Sequence, residues 1–171
     1  DLIVTDQDRL IISLLQPERL LEMIRLFTLF DKKAGKIVAR YQQVFGIKAL
    51  IECISSFDEK GSREGGVIWH TTGSGKSFTM VFFSKALIWL EELAKCRIIV
   101  VTDRVDLETQ LSNTFKSGGV ITSKRDSRDA MATSGRRLAQ QIGHGNERVI
   151  FSIINKFGSA VKYDECYNDS P

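Results

Sequence analysis

The chain has 171 residues, 43% hydrophobic and 26% charged, and its 24 Lys and Arg against 21 Asp and Glu leave a formal net charge of +3. This is typical of one globular domain with a buried core, and the composition excludes disordered, collagen-like and Pro-rich chains. No apolar run reaches the roughly 18 residues of a membrane span, so we expect no membrane contact. Three widely spaced cysteines exclude a disulfide framework and predict a reducing, cytoplasmic compartment.

The N-terminal third is predicted to be helical. Apolar residues recur at helical spacing from Leu10, and after Pro17, which suits the first turn of a helix, the pattern continues through Phe27 and Phe30. A polar turn, a short strand and another helix are predicted to follow, at residues 31–36, 37–39 and 41–57.

From Gly66 onward, apolar strands and amphipathic or apolar helices alternate. The predicted strands are residues 67–69, 97–102 and 149–154. The predicted helices are residues 78–93, 106–115 and 134–142. Strands separated by helices favour an α/β fold with a parallel sheet and flanking helices.

The positive charge is concentrated in one part of the chain. Residues 1–65 sum to zero, so the net +3 belongs to residues 66–171. Six basic residues fall within a short stretch: Lys116, Lys124, Arg125, Arg128, Arg136 and Arg137. Such a stretch suits the phosphates of a nucleic acid, and it also suits a solvated loop and helix face.

Residues 70–77 (HTTGSGKS), here called the phosphate loop, match the phosphate-binding pattern except at the first position, where His70 replaces the usual Gly. Glycines let backbone N–H groups curl around phosphate oxygens, Lys76 would reach the β- and γ-phosphates, and Ser77 would bind Mg²⁺. A helix that starts here adds free N–H groups and its positive dipole end. His70 is read either as a structural histidine or as a γ-phosphate sensor. The expected nucleotide-binding residues are Thr71, Thr72, Gly73, Ser74, Gly75, Lys76 and Ser77.

ATP hydrolysis also needs an acidic residue at the end of an apolar strand. Asp103 ends one predicted strand but is followed by Arg104 rather than Glu, and the later strand ends in Asn155 and Lys156. Asp103 would be the metal acid of a self-contained P-loop phosphotransferase. Alternatively the acid lies beyond Pro171 and the domain is truncated, which we favour. A non-catalytic nucleotide-binding module is a third reading.

Four segments carry further information because of their order and spacing: RYQQVFGIKAL, GVIWHTTGSGKS, VVTDRVDLETQL and VIFSIINKF, at residues 40–50, 66–77, 100–111 and 149–157. Together they resemble the R (HsdR) subunit of type I restriction enzymes, which contains a superfamily 2 helicase-like motor. The resemblance covers residues 37–160.

This resemblance implies an ATP-dependent motor that translocates double-stranded DNA between two RecA-like domains and couples this to DNA cleavage by a separate nuclease. It implies ATP and Mg²⁺ as cofactors, and methyltransferase (M) and specificity (S) subunits as partners in a bacterial or archaeal cytoplasm. Residues 1–36 would be a helical linker from a missing nuclease domain, and residues 37–171 the N-terminal part of RecA-like motor domain 1. Because the DEAH-type motif is absent, the chain alone is expected to bind nucleotide poorly and not to hydrolyse it.

The resemblance also implies roles for residues outside the phosphate loop. Gln43 would read the adenine, although a polar helix residue is an equal alternative. Asp103 and Arg104 would position the DNA backbone or form an ion pair at a helix start. Ser152 would contact a phosphate or cap a strand end. Among the aromatic residues, Tyr41 and Trp69 are predicted to pack rather than to stack on bases.

Overall fold

The computed structural model describes residues 4–31, 34–93, 95–121 and 128–163. The chain divides into two compact units, Asp1–Ala86 and Leu87–Pro171, and each is described separately. Among its described residues, the first contains two helices, a β-hairpin, a third helix and most of a fourth. The second contains the parallel strands and their helices.

The first two helices confirm the helical prediction for the start of the chain. Helix α1 (Asp6–Leu15) begins with a capping box in which Thr5 and Asp8 exchange hydrogen bonds between side chain and backbone. Helix α2 (Pro17–Arg25) has Pro17 in its first turn, as predicted, because proline has no N–H to leave unpaired there.

The prediction that the second helix continues through Phe27 and Phe30 is wrong. Strand β1 (Thr28–Asp31) pairs antiparallel with strand β2 (Gly35–Val38). Phe27, Thr28 and Leu29 are buried whereas Phe30 is 73% exposed, so the segment turns from buried to exposed within the strand instead of continuing a helical apolar face. The predicted short strand at residues 37–39 corresponds to β2.

Helix α3 (Tyr41–Ser55) confirms the helix predicted over residues 41–57, and helix α4 (Lys76–Trp89) begins directly at the phosphate loop. The strand predicted at residues 67–69 is wrong: Gly66–His70 forms no helix or strand. Val67 is exposed and pairs with no strand among the described residues. Apolar character alone did not produce a strand here, because a strand needs a hydrogen-bonded neighbour.

In the second unit, strand β3 (Ile98–Thr102) and strand β4 (Val149–Ile153) pair in parallel, as predicted, with Ile98 opposite Val149 and Thr102 opposite Ile153. Residues 130–132 run along the other side of β4 through a parallel bridge between Met131 and Phe151. Strand β4 therefore has a neighbour on each side, and its first four residues are all buried.

Helices flank these strands. They are helix α5 (Val105–Ser117), helix α6 (Gly135–His144) and helix α7 (Ile154–Ala160), and a short 3₁₀ turn (Glu91–Leu93) precedes β3. Helix α6 starts at Ser134, whose side chain accepts a hydrogen bond from the Arg137 N–H. Phe115 of α5 meets Phe151 of β4 edge to face, with ring centroids 5.1 Å apart.

The structure is thus mixed α/β with a small parallel sheet and flanking helices, which confirms that part of the predicted fold class. Within the part of the chain that the structure describes, no helix is both long and apolar enough to span a membrane.

Candidate functional site

The backbone of the phosphate loop is shaped by two glycines. Gly73 has a φ of +78° and Gly75 a φ of +89°, a region that only glycine enters without strain. Between them, Ser74 donates from its N–H (3.3 Å) and from its hydroxyl (2.7 Å) to the carbonyl of Thr71, which closes a tight turn. The two glycines of the motif are therefore required by backbone geometry.

The backbone conformation at position 70 explains why His70 can stand where the phosphate-binding pattern usually has glycine. No residue other than glycine has a positive φ among those the structure describes, so position 70 does not need the glycine that usually stands there. The Nε2 atom of His70 is buried and has no hydrogen-bond partner among the residues that the structure describes. A buried polar atom without a partner destabilises the folded state, so this nitrogen is a point where a ligand would add a favourable contact.

The start of helix α4 presents the groups expected for phosphate binding. Lys76 is its first residue and is exposed, and Ser77 is half-buried in the same turn. Neither side chain forms an ion pair or hydrogen bond with another described residue. The first amides of a helix lack carbonyl partners and carry the positive end of its dipole, so this turn suits an anion.

Gln43 lies against the phosphate loop, although helix α3 is far from it in sequence. Its Nε2 donates to the Gly75 carbonyl (3.1 Å) and to the Thr79 hydroxyl (3.0 Å), and its Oε1 accepts from the Arg40 N–H (2.9 Å). Only 4% of Gln43 is exposed. The sequence indicated Gln43 as a site residue, but it did not indicate Thr79 as its partner. The one sequence feature that could have indicated Thr79 is its i, i+4 spacing from Gly75, which places the two residues one helical turn apart.

Two aromatic residues, Tyr41 and Trp69, do not behave as predicted. Tyr41 is 69% exposed and Trp69 is 90% exposed, so the structure does not bear out the prediction that these side chains pack. Gln43, two residues after Tyr41, is buried, and Ile68, next to Trp69, is half-buried.

The carboxyl ends of β3 and β4 form a second group of candidate residues, here called the carboxyl edge (residues 102–104 and 153–156). Because the two strands are parallel and in register, these ends lie side by side. Asp103 and Arg104 are exposed there. Ser152 is fully buried and its hydroxyl donates to the Ile153 carbonyl (3.2 Å), so this placement does not favour its predicted phosphate contact.

An ion pair at the carboxyl edge was not predicted from the sequence. The Lys156 Nζ of α7 lies 3.1 Å from the Glu108 Oε1 of α5, and 3.4 Å from its Oε2. The Glu108 side chain is 4% exposed and that of Lys156 18%. The pair ties together the two helices that start at this edge.

The basic stretch over residues 116–137 is only partly available for a ligand. Arg137 donates to the Glu147 Oε1 at 2.9 Å, so its charge is already paired. Arg128 and Arg136 are exposed, and Lys124 and Arg125 lie outside the described residues. No three His, Cys, Asp or Glu residues in the described ranges lie close enough together to hold a metal ion.

The chain matches the SWI2/SNF2 ATPase family over residues 42–171. It is 40% identical over 150 residues to the endonuclease subunit of the type I restriction enzyme HindI of Haemophilus influenzae. The aligned region covers 85% of this chain and 14% of that protein. A Methanocaldococcus jannaschii protein named for the type I MjaIXP endonuclease subunit is 34% identical over 167 residues, 95% of this chain and 15% of its own length. The SauCOLORF180P endonuclease subunit of Staphylococcus aureus is 29% identical over 154 residues, 88% of this chain and 15% of that protein.

The chain therefore spans about 15% of the length of the curated relatives it matches. The matched region includes Gln43, the phosphate loop and the carboxyl edge. The chain belongs to the SWI2/SNF2 ATPase family and is related to the endonuclease (R) subunits of type I restriction enzymes.

Proposed function

We propose that this chain is the ATP-binding part of the motor of a type I restriction enzyme, in which ATP-dependent translocation of double-stranded DNA is coupled to DNA cleavage. The observation that carries the proposal is the phosphate loop, where Gly73 and Gly75 curve the backbone and Lys76 stands exposed at the start of α4. The family match and the names of the relatives support the rest.

In this proposal the loop residues Thr71, Thr72, Gly73 and Ser74 surround the triphosphate, and the N–H groups at the start of α4 donate to its oxygens. Lys76 neutralises the charge on the β- and γ-phosphates. The Ser77 hydroxyl is the kind of hard oxygen ligand that Mg²⁺ takes, and it lies one residue from Lys76, so the residues present fit this ion. Mg²⁺ would supply charge neutralisation between the β- and γ-phosphates.

Double-stranded DNA, and the M and S subunits, are the proposed partners. Asp103 and Arg104 are exposed at the carboxyl edge, where the Arg104 guanidinium can reach a phosphate backbone. We further propose that residues 37–171 are the N-terminal part of a RecA-like motor domain. Residues 1–36 would lead into it and contribute β1 to the hairpin with β2.

Replacement of the phosphate-loop lysine tests the proposal. Lys76→Ala should lower DNA-stimulated ATP hydrolysis by the complete subunit at least about 100-fold, because a preorganised charge at the transferred phosphate is lost. Thermal unfolding of the 171-residue variant should be little changed, because Lys76 is exposed and pairs with no described side chain. Lys95→Ala is the matched control, since Lys95 is also exposed but lies outside the loop.

Two results would contradict the proposal. One is hydrolysis by the complete subunit that survives Lys76→Ala. The other is transfer of phosphate from ATP to a small molecule by the 171-residue chain alone, which would identify a self-contained phosphotransferase. We expect the chain alone to turn over no ATP.

A further inference from the structure

Helix α2 turns its apolar residues away from the rest of its unit. The structure describes all nine residues of this helix, and none of them is buried. Leu20, Leu21 and Ile24 are exposed, Ile24 by 57%. Their spacing of three and four residues places them on one side of the helix. In a helix that completes its own domain, such an apolar side faces the core, so α2 has the opposite orientation.

The other side of α2 is the one that contacts the protein. Glu22 and Met23 are half-buried, and at about 3.6 residues per turn their mean direction is roughly opposite to that of the exposed apolar residues. The Glu22 carboxylate accepts a hydrogen bond from the Lys48 Nζ of α3 at 2.7 Å. The Met23 carbonyl accepts one from the Thr28 hydroxyl at 2.9 Å, which ties the end of α2 to β1.

Helix α1 carries a second group of exposed apolar residues, and a single residue, Gln16, separates it from α2. We call the two groups together the outer apolar face, which consists of Ile11, Ile12, Leu15, Leu20, Leu21 and Ile24. Single exposed apolar residues are ordinary on a protein surface, whereas a concentration of them on neighbouring elements marks a contact surface.

The segment that follows α2 is fixed to the part of the chain that matches the ATPase family. Phe27 is fully buried and meets Phe82 of α4 with ring centroids 6.3 Å apart. The Lys85 Nζ of α4 donates to the Thr28 carbonyl at 2.9 Å. The outer apolar face therefore lies at a fixed place relative to α3 and α4.

The extent of the family and relative matches indicates what covers this face. The SWI2/SNF2 match begins at residue 42, so α1 and α2 lie outside it. The match to the MjaIXP endonuclease subunit covers 95% of this chain, which is enough to include α2, and only 15% of that protein. A counterpart of α2 thus occurs in a much longer polypeptide, next to its ATPase domain and outside it.

The small size of the outer apolar face favours an occupant from the same polypeptide. Stable interfaces between separate proteins use about 20–30 residues on each side, and this face has six. A domain tethered by the chain needs less contact, because the tether gives it a high effective concentration.

We propose that the outer apolar face is the docking surface for another domain of the same polypeptide, one that lies outside these 171 residues and covers Leu20, Leu21 and Ile24 with apolar side chains. Docking would fix that domain relative to α3 and α4, and so relative to the ATPase region. The inference goes beyond the proposed function, because it does not depend on what the phosphate loop binds.

Cysteine labelling of the 171-residue chain and of the complete subunit tests this. Ile24→Cys places a thiol on the outer apolar face, and Glu18→Cys is the matched control, since Glu18 is exposed on the same helix but outside the face. Reaction with a maleimide is read at the introduced position by peptide mass spectrometry, because three native cysteines are also present. In the 171-residue chain the two thiols should react at similar rates. In the complete subunit, Ile24→Cys should react at least about tenfold more slowly than Glu18→Cys, because its thiol is reached only when the contact opens locally.

Three results would overturn the inference. The first is Ile24→Cys that reacts as fast as Glu18→Cys in the complete subunit. The second is protection that appears only when the M and S subunits are added, which would identify a separate protein as the occupant. The third is protection in the 171-residue chain that grows with its concentration, which would identify a second copy. None of these outcomes depends on ATP turnover, so the proposed function is tested separately.

A measurement without substitution covers the case in which Ile24→Cys itself disturbs docking. Hydroxyl-radical footprinting of the unsubstituted proteins reports oxidation of the Leu20, Leu21 and Ile24 side chains. Oxidation of all three should be lower in the complete subunit than in the 171-residue chain, because a docked domain excludes solvent from them. Equal oxidation in the two proteins would overturn the inference.

Discussion

Single residues of the phosphate loop are specified by backbone geometry. Gly73 and Gly75 could be identified from sequence because glycine alone adopts their positive φ without strain, and a turn that wraps a phosphate needs such angles. Gln43 is a different case. Its partners lie 32 and 36 residues further along the chain, so no local pattern could reveal which atoms its amide contacts.

Lys85 on α4 is a second residue whose behaviour depends on tertiary contacts. Its Nζ donates to the carbonyl of Thr28 in β1 at 2.9 Å, and partial burial lowers the pKa of its ammonium group below the ordinary value of 10.5. The folded chain therefore releases this proton at a lower pH than the unfolded chain does.

This difference predicts a pH dependence of stability. Between the lowered pKa and 10.5 the unfolded state binds more protons, so the contribution of Lys85 to the free energy of unfolding rises with pH. We expect the unsubstituted chain to gain stability relative to Lys85→Met between about pH 7 and about pH 10. Urea unfolding at both pH values measures the difference in the free energy of unfolding between the unsubstituted chain and Lys85→Met. If this difference does not shift in favour of the unsubstituted chain as the pH rises, the prediction is contradicted.

Whole elements were predictable where the period of the sequence was long and regular. Helix α3 was predicted to within two residues, since its apolar positions recur over four turns. Strand β1 was missed because four residues are too few for a period to show, and the burial of Leu29 with exposure of Phe30 is decided by packing. The predicted strand at residues 67–69 failed because pairing, rather than apolar character, makes a strand.

The ion pair between α5 and α7 gives a prediction at this scale. Lys156→Met leaves the buried carboxylate of Glu108 without its partner and should destabilise the chain by about 3 kcal/mol. The double variant with Glu108→Gln should recover most of that loss, because no uncompensated charge remains. Urea unfolding of both single variants and the double variant gives the coupling energy.

The pair between Lys48 and Glu22 is the matched control. Its atoms are 2.7 Å apart, but the side chains are 41% and 29% exposed. Lys48→Met should therefore cost no more than about 1 kcal/mol. If Lys48→Met and Lys156→Met lowered the free energy of unfolding equally, burial would not determine how much each ion pair stabilises the chain.

At the scale of the whole molecule, the net charge of +3 describes the surface poorly. Arg136 is exposed and forms no ion pair with a described residue, whereas its neighbour Arg137 is paired with Glu147. The two arginines are adjacent in sequence, yet only one has a charge available for a nucleic acid.

This contrast predicts the salt dependence of the proposed DNA binding. Arg136→Gln should lower the slope of log affinity against log salt concentration by about 1, because one phosphate contact is lost. Arg137→Gln should leave that slope nearly unchanged and instead lower the free energy of unfolding by about 1–3 kcal/mol, since Glu147 loses its partner. Filter binding at several salt concentrations, with urea unfolding alongside, separates the two. Equal changes in slope for Arg136→Gln and Arg137→Gln would contradict the conclusion that only Arg136 has a charge available for DNA.

The sequence by itself determined the phosphate loop, the parallel strands and most helices, because glycine conformation, helical period and continuous apolar runs are local properties of the chain. Only the tertiary structure decided what Gln43 contacts, that Ser152 is buried, that Glu108 pairs with Lys156, and that Arg137 is already paired. Each of these is a contact between residues far apart in sequence or a matter of burial. Hydrogen bonds and ion pairs of this kind form only when the packing of separate elements brings their partners together.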